Sequence, residues 1–194
     1  MDAVSHIWKL VPGLVLAALL VGLLVALSLR ARRRLAALEA HWRGFASTRP
    51  LTLTGQSGPV WLDARFGNAP HLHGEVGGRR VDVRPYRRWK RTAFFETIGW
   101  TPIAATGRGP VPETEIDPGA APTLAWLMEQ RSGIALEVWP DGRGGHILTL
   151  VWRGLERDAS VLDAAIALLA AVAANPPKRL GELPWHERAP WGGG

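Results

Sequence analysis

The pattern of apolar and polar positions starts with one long uncharged run. From Leu10 to Leu29 there are twenty residues without a charge, and most of them are Leu, Val or Ala. A helix rises about 1.5 Å per residue, so the run matches the roughly 30 Å hydrocarbon layer of a bilayer. Trp8 and Lys9 just before it are typical of a membrane interface. The pattern predicts a transmembrane helix over 10–29.

The charges around this run predict its direction. The N-terminal flank, residues 1–9, holds one Lys and one Asp. Four arginines follow the run at once: Arg30, Arg32, Arg33 and Arg34. Because arginine excess marks the cytoplasmic flank, we expect a short N-terminus outside the cell inner membrane and the C-terminal part in the cytoplasm. A cleaved signal peptide would end in small residues, and a core helix this apolar needs a larger protein around it.

Periodic patterns predict the remaining elements. Leu35, Leu38, Trp42 and Phe45 recur at helical spacing, which indicates a basic juxtamembrane helix over 30–49. Alternating residues and glycine turns predict strands at 60–66, His71–Val76, Val81–Val83, Thr92–Gly99, Ile134–Trp139 and His146–Trp152. Helices are predicted at Pro122–Arg131, with Leu124, Leu127 and Met128 as its apolar face, and at Ser160–Ala174.

These elements indicate an α+β fold. Antiparallel hairpins followed by an almost wholly apolar helix predict a sheet with helices packed on one face, within a domain over 50–175. Ser160 and Asp163 resemble a capping box for that last helix. The Pro-, Trp- and Gly-rich segment 176–194 is predicted to be a mobile tail.

Basic residues are concentrated in two parts of the chain. Residues 30–49 hold six arginines and one glutamate, whereas residues 50–194 hold sixteen basic and fifteen acidic side chains. The second concentration is Arg79, Arg80, Arg84, Arg87, Arg88, Lys90 and Arg91, with Trp89 inside it. An anionic inner leaflet attracts such residues by about 1 kcal/mol each. Nucleic acid is disfavoured, since no nucleic-acid motif accompanies the charges.

We therefore predict a contact surface for lipid headgroups or a partner protein. Its residues are Arg30, Arg32, Arg33, Arg34, Arg79, Arg84, Arg87, Arg88, Trp89, Lys90 and Arg91. The ten tryptophans also bear on partners, because tryptophan is enriched at protein and membrane interfaces. Four tryptophans are expected in or beside the core: Trp61, Trp126, Trp139 and Trp152. Five are harder to bury, with partial burial against the sheet as the alternative: Trp42, Trp89, Trp100, Trp185 and Trp191.

Candidate chemistry is sparse. His71, His73 and Glu75 alternate, so on a strand they would face one way, within reach of one metal ion. Surface histidines are the preferred interpretation, because no fourth ligand accompanies them. The chain has no cysteine, and its Gly-rich turns lack the helix and Lys-Ser/Thr of a phosphate loop. We predict no catalytic residue and no cofactor, and we expect Asp82, Glu96 and Glu137 on solvated strand faces.

One stretch resembles a known group of proteins. Gly74–Glu75–Val76, then Gly78 to Val83 and Thr92, is similar to a "G-x-x-x-G-R-x-V-x-V … T" pattern of uncharacterised bacterial single-pass membrane proteins. The resemblance implies an α+β soluble domain beside the anchor and carries no activity. Three functions follow from the whole sequence. The first is an accessory or assembly component of a membrane protein complex, the second an anionic-lipid sensor, and the third a tethered enzyme or metal site.

Overall fold

The structure, a computed structural model, describes residues 3–54, 70–86 and 96–182. The side chains at 3–12, 14, 24, 28, 31, 32 and 86 are outside that description. The predicted strand 60–66 and the cluster from Arg87 to Arg91 therefore lie outside the described residues. The chain divides into two compact units, residues 1–37 and 38–194.

The first unit is helical. Helix α1 extends over Ala3–Ala46, and its part up to residue 37 makes up this unit. Across the part of the chain that the structure describes, no helix is both long enough and apolar enough to cross a membrane. The predicted transmembrane helix is therefore not supported by the structure.

The end of α1 belongs to the second unit. Leu38, Trp42 and Phe45 are buried in its hydrophobic core, and the Trp42 indole is fully enclosed. The predicted helical spacing of these residues is thus confirmed. The helix ends at Ala46, before the predicted end at residue 49, and a turn follows at residues 47–50. The expectation that Trp42 is hard to bury is wrong. Its ring fills the core, and its indole N–H donates to the backbone carbonyl oxygen of Glu156 at 2.8 Å.

The second unit is built on one antiparallel sheet of seven strands. Their order across the sheet is β1-β2-β3-β4-β7-β6-β5. The strands are β1 Leu51–Thr54, β2 His71–Val76, β3 Arg79–Tyr86, β4 Glu96–Ile103, β5 Gly109–Pro110, β6 Ala135–Pro140 and β7 His146–Arg153. The helices are α2 Ala121–Gln130 and α3 Ala159–Ala174, with a 3₁₀ turn at Glu113–Glu115. The predicted α+β class with antiparallel hairpins is confirmed.

Local sequence explains the two hairpins. Between β2 and β3, Gly77 and Gly78 have φ of +58° and +71°. Two successive positive φ angles are what a tight two-residue hairpin turn requires, and glycine adopts them without strain. Between β6 and β7, the Asp141 carboxylate accepts from the backbone N–H groups of Arg143 and Gly145 at 2.7 and 2.9 Å. Both predicted hairpins are present.

Helix α3 covers one face of the sheet. Directly opposed residues of antiparallel strands point to the same side, so Leu72, Val83, Gly99 and Leu150 share this face. Gly99 leaves room for the helix, since a methyl group there would lie 2.7 Å from a methyl of Leu169. Helix α2 packs against α3 in turn. The predicted role of the last helix as the main layer on the sheet is confirmed.

Two local predictions are wrong, one on the cap of α3 and one on the apolar face of α2. The cap of α3 is Asp158, whose carboxylate accepts from Ser160 N–H at 2.9 Å, while Asp163 instead pairs with Arg49. On α2, Trp126 and Met128 are exposed by 36% and 50%, because only Leu124 and Leu127 face the core.

The first part of the predicted tail contacts the domain. Pro177 is buried, and Gly181 N–H donates to the Pro110 carbonyl oxygen at 2.8 Å. A composition rich in proline and glycine predicts a flexible segment. Composition alone does not show whether another part of the fold offers that segment a binding surface. The rest of the predicted tail, 183–194, lies outside the described residues.

Candidate functional site: a buried polar cluster on the sheet

The face of the sheet opposite α3 carries charged residues, and these are buried. His71, Asp82 and Arg84 keep only 3%, 1% and 7% of their surface exposed, and Glu96 and Glu137 are also buried. The prediction of a solvated face on β3 is therefore wrong. Alternation along a strand tells which residues share a face, but it does not tell whether anything covers that face. We call His71, Arg80, Asp82, Arg84 and Trp100 the polar cluster.

Asp82 is the centre of the polar cluster. Its Oδ1 lies 2.9 Å from Nε2 of His71, and its Oδ2 lies 3.0 Å from Nε of Arg80. Strand pairing creates this arrangement, because His71, Arg80 and Asp82 project from the same side of the adjacent strands β2 and β3. Burial alone would raise the pKa of Asp82, but the hydrogen bonds from His71 and Arg80 outweigh it and hold the pKa below its ordinary value of 3.8. The carboxylate is therefore ionised at neutral pH.

Trp100 joins two cationic or polar groups on the same face. The His71 ring stacks on it nearly parallel, with centroids 5.4 Å apart and 10° between planes. The Arg84 guanidinium carbon lies 4.7 Å from the Trp100 ring centroid, within the range of a cation–π contact. Trp100 is only half-buried. The prediction of partial burial against the sheet is thus the one that holds for it.

The chemistry open to the polar cluster is set by the His71–Asp82 contact. An ionised carboxylate only accepts hydrogen bonds, so the His71 Nε2 carries the proton of this bond. A histidine held in this way by a carboxylate is also found where enzymes transfer protons. Here the ring is almost fully buried and stacked on Trp100, which keeps bulk water and reactants away from it. The geometry favours a structural role for the His71–Asp82 contact.

The predicted metal ligands are only partly brought together. The His71 and His73 rings lie 5.4 Å apart, whereas Glu75 is exposed and His71 Nε2 is already bonded to Asp82. Within residues 3–54, 70–86 and 96–182, no group of three or more His, Asp or Glu side chains could hold a metal ion.

The predicted contact surface is also divided. Arg30, Arg33 and Arg34 are exposed, and Arg79 is half-buried. Arg84 is a correction: it is buried beside Trp100, so it is not a surface residue in this fold. The side chain of Arg32 and the residues Arg87, Arg88, Trp89, Lys90 and Arg91 lie outside the described residues, and their contacts stay predictions.

A further buried carboxylate, Glu156, was missed by sequence reasoning. Glu156 is 3% exposed, and its two oxygens accept from Nε and Nη2 of Arg131 at 2.7 and 2.8 Å. Oε2 also accepts from the Trp152 indole, and Oε1 accepts from the backbone N–H groups of Arg157 and Asp158, each at 2.9 Å. Burial opposes ionisation, but these bonds lower the pKa of Glu156 below 4.5. We call these residues the Glu156 network.

Comparison with known proteins identified no relative of this chain. No protein-family model, no curated protein and no solved structure matches this chain. The resemblance to single-pass bacterial membrane proteins therefore stays a prediction, and function has to be argued from the residues.

The ion pair in the polar cluster makes a stability prediction. Asp82→Asn should lower the free energy of unfolding by about 1–3 kcal/mol, because the amide has one acceptor oxygen for the two N–H groups of His71 and Arg80 and no charge opposite Arg80. Urea or thermal unfolding of the full chain in detergent measures the change. Glu75→Gln, at an exposed position on the same face, is the matched control and should change stability by less than about 0.5 kcal/mol. Equal effects of the two substitutions would contradict the ion-pair interpretation.

Proposed function

We propose that this protein is a membrane-anchored, non-enzymatic domain that serves as an accessory or assembly component of a membrane protein complex. Residues 10–29 cross the inner membrane with the N-terminus outside, and the α+β unit lies in the cytoplasm. The observation that carries the proposal is the apolar surface of α1. Its large side chains between residues 15 and 29 are about half exposed or more: Val15, Leu16, Leu19, Leu20, Val21, Leu23, Val25, Leu27 and Leu29.

The positions of these residues support the proposal that α1 is surrounded by lipid and does not pack against another protein layer on one side. They surround the helix instead of forming one stripe, since a helix turns by 100° per residue and the run has no polar face. A helix apolar on every side needs apolar surroundings on every side. The proposal rests on the amino-acid sequence, in which the uncharged run from Leu10 to Leu29 is continuous.

The arginines after the run support the orientation. Arg30, Arg33 and Arg34 are exposed, so their charges are available to anionic headgroups of the inner leaflet. The same residues support the alternative function of an anionic-lipid sensor. That alternative adds lipid contacts from Arg87–Arg91, which lie outside the described residues.

Two observations support a binding role rather than catalysis. The most enzyme-like arrangement, His71 with Asp82, is buried and stacked on Trp100. In contrast, Trp126 and Met128 are exposed on α2, and both residue types are enriched in protein interfaces. A helix turns by about 100° per residue, so these two side chains flank the buried face on opposite sides of α2. The exposed side of α2 around Trp126 is therefore the proposed contact site for a protein partner.

Membrane fractionation tests the anchor. The full chain should remain in the membrane pellet after an alkaline carbonate wash. Replacing Leu16, Leu20 and Leu23 together with arginine should move it to the supernatant, because each charge near the bilayer centre costs about 2.5–3.5 kcal/mol. Methionine at the same three positions is the matched control and should leave the chain in the pellet. Release of the unaltered chain by carbonate would contradict the proposal.

A further inference from the structure

The segment after α3 occupies the outer edge of the sheet. Strand β5 is the last strand in the order, and the segment 175–182, which we call the strap, runs beside it. Gly181 N–H donates to the Pro110 carbonyl oxygen at 2.8 Å, and Leu180 packs against the core. The strap thus takes an acceptor that an edge strand would otherwise offer to another chain.

One carboxylate holds the middle of the strap. Oε2 of Glu115, in the 3₁₀ turn, accepts from the backbone N–H groups of Lys178 and Arg179 at 3.0 and 3.3 Å. The Lys178 and Arg179 side chains are exposed. Glu115 therefore recognises the backbone of the strap and not its charges.

The contact between strap and edge depends on two glycines. A methyl group on Gly109 would overlap the carbonyl oxygen of Gly181, and one on Gly181 would lie 2.9 Å from Cγ of Pro110. The two backbones approach more closely than side chains allow. The edge of β5 therefore accepts only a segment that has glycine opposite Gly109 and Pro110. The strap provides this glycine at position 181.

Few contacts among the described residues hold the strap. They are the Gly181–Pro110 hydrogen bond, the two bonds to Glu115, a bond from the Asn175 amide to Asp117 at 3.5 Å, and the packing of Pro177 and Leu180. Residues 175–177 join α3 to the rest of the strap outside any helix or strand. Exchange of an identical element between copies restores every contact that release removes, so it costs little. We propose that the strap is exchangeable: when it leaves its own edge, the edge binds the strap of a second copy of this chain.

Two variants and a control test this exchange. Glu115→Gln weakens the hydrogen bonds to the backbone of Lys178 and Arg179 but keeps the close approach of Gly109 and Gly181. Tryptic cleavage after Lys178 or Arg179 should therefore rise about tenfold, and dimers should appear at high protein concentration. Glu113→Gln, at an exposed position of the same turn, should behave like the unaltered chain. Cleavage is followed by the mass of the released C-terminal fragment, and oligomeric state by light scattering of the full chain in detergent.

Gly181→Val separates exchange from simple pairing of open edges. Its side chain cannot fit against the edge of β5 on either copy, so this variant should be cleaved as fast as Glu115→Gln and yet remain monomeric. Dimers of Gly181→Val would overturn the proposal, and so would equal cleavage of Glu115→Gln and Glu113→Gln. These readouts do not involve membrane insertion, so they stand or fall independently of the proposed anchor.

Discussion

Glu156→Gln should destabilise the α+β unit by about 3–5 kcal/mol, the largest loss we expect from a single change of one atom type. The substitution keeps the shape of the side chain but replaces one acceptor oxygen by an N–H₂ group. Either oxygen position already faces donors: Oε1 accepts from Arg131, Arg157 and Asp158, and Oε2 from Arg131 and Trp152. A donor placed there leaves at least one buried N–H without an acceptor.

The Glu156 network explains why the loss should spread through the unit. Arg131 follows α2, Trp152 belongs to β7, and residues 157 and 158 lead into α3, whose cap is Asp158. The backbone of Glu156 extends the network, since its N–H donates to the Thr97 hydroxyl of β4 and its carbonyl oxygen accepts from Trp42 of α1. One residue therefore joins five elements.

The measurement is urea unfolding of the full chain in detergent, followed by tryptophan fluorescence. Glu129→Gln, exposed on α2, is the matched control and should lie within about 0.5 kcal/mol of the unaltered chain. The effect should also depend on pH. Because the folded pKa of Glu156 is below 4.5, its stabilisation is present above about pH 4.5 and is lost as the pH falls through the folded pKa. The unaltered chain should lose stability over that range more steeply than Glu156→Gln, and equal slopes would count against the network.

Much of the fold could be predicted from local pattern. The Gly77–Gly78 turn and the Pro140–Gly145 loop lie between segments that alternate apolar and polar residues. The run at 160–174 is apolar on almost every side, so it was expected to pack on the sheet. Strands β1 and β5 escaped prediction because four and two residues are too few for a periodic signal. They are defined by their partners across the sheet and not by their own sequence.

The functional residues were harder to predict because burial is a property of the assembled fold. Asp82 alternates with Val81 and Val83, which in an antiparallel sheet usually means a solvated side. Its burial depends on contacts distant in sequence, as with Glu156, whose partner Arg131 is 25 residues away. The sequence gives only a weak indication that Glu156 is buried. It is an acidic residue between strand β7 and the apolar helix α3, and Arg131 follows helix α2.

The proposed orientation of the anchor predicts a yes-or-no result for which side of the membrane a residue is on. If residues 10–29 cross the inner membrane with Arg30–Arg34 inside, a residue near the N-terminus and one in the α+β unit are on opposite sides of the bilayer. The chain has no cysteine, so a single introduced thiol reports its own position without background. Ser5→Cys marks the N-terminal side, and Arg143→Cys marks the exposed turn between β6 and β7.

Labelling of these two variants with a membrane-impermeant maleimide in intact spheroplasts is the measurement that tests the account most directly. We predict that Ser5→Cys reacts in intact spheroplasts, whereas Arg143→Cys reacts only after the membrane is permeabilised. Detergent-lysed samples of both variants serve as the control for thiol reactivity. Labelling of Arg143→Cys in intact spheroplasts, to the extent seen after lysis, would contradict a cytoplasmic α+β unit held by an N-terminal anchor.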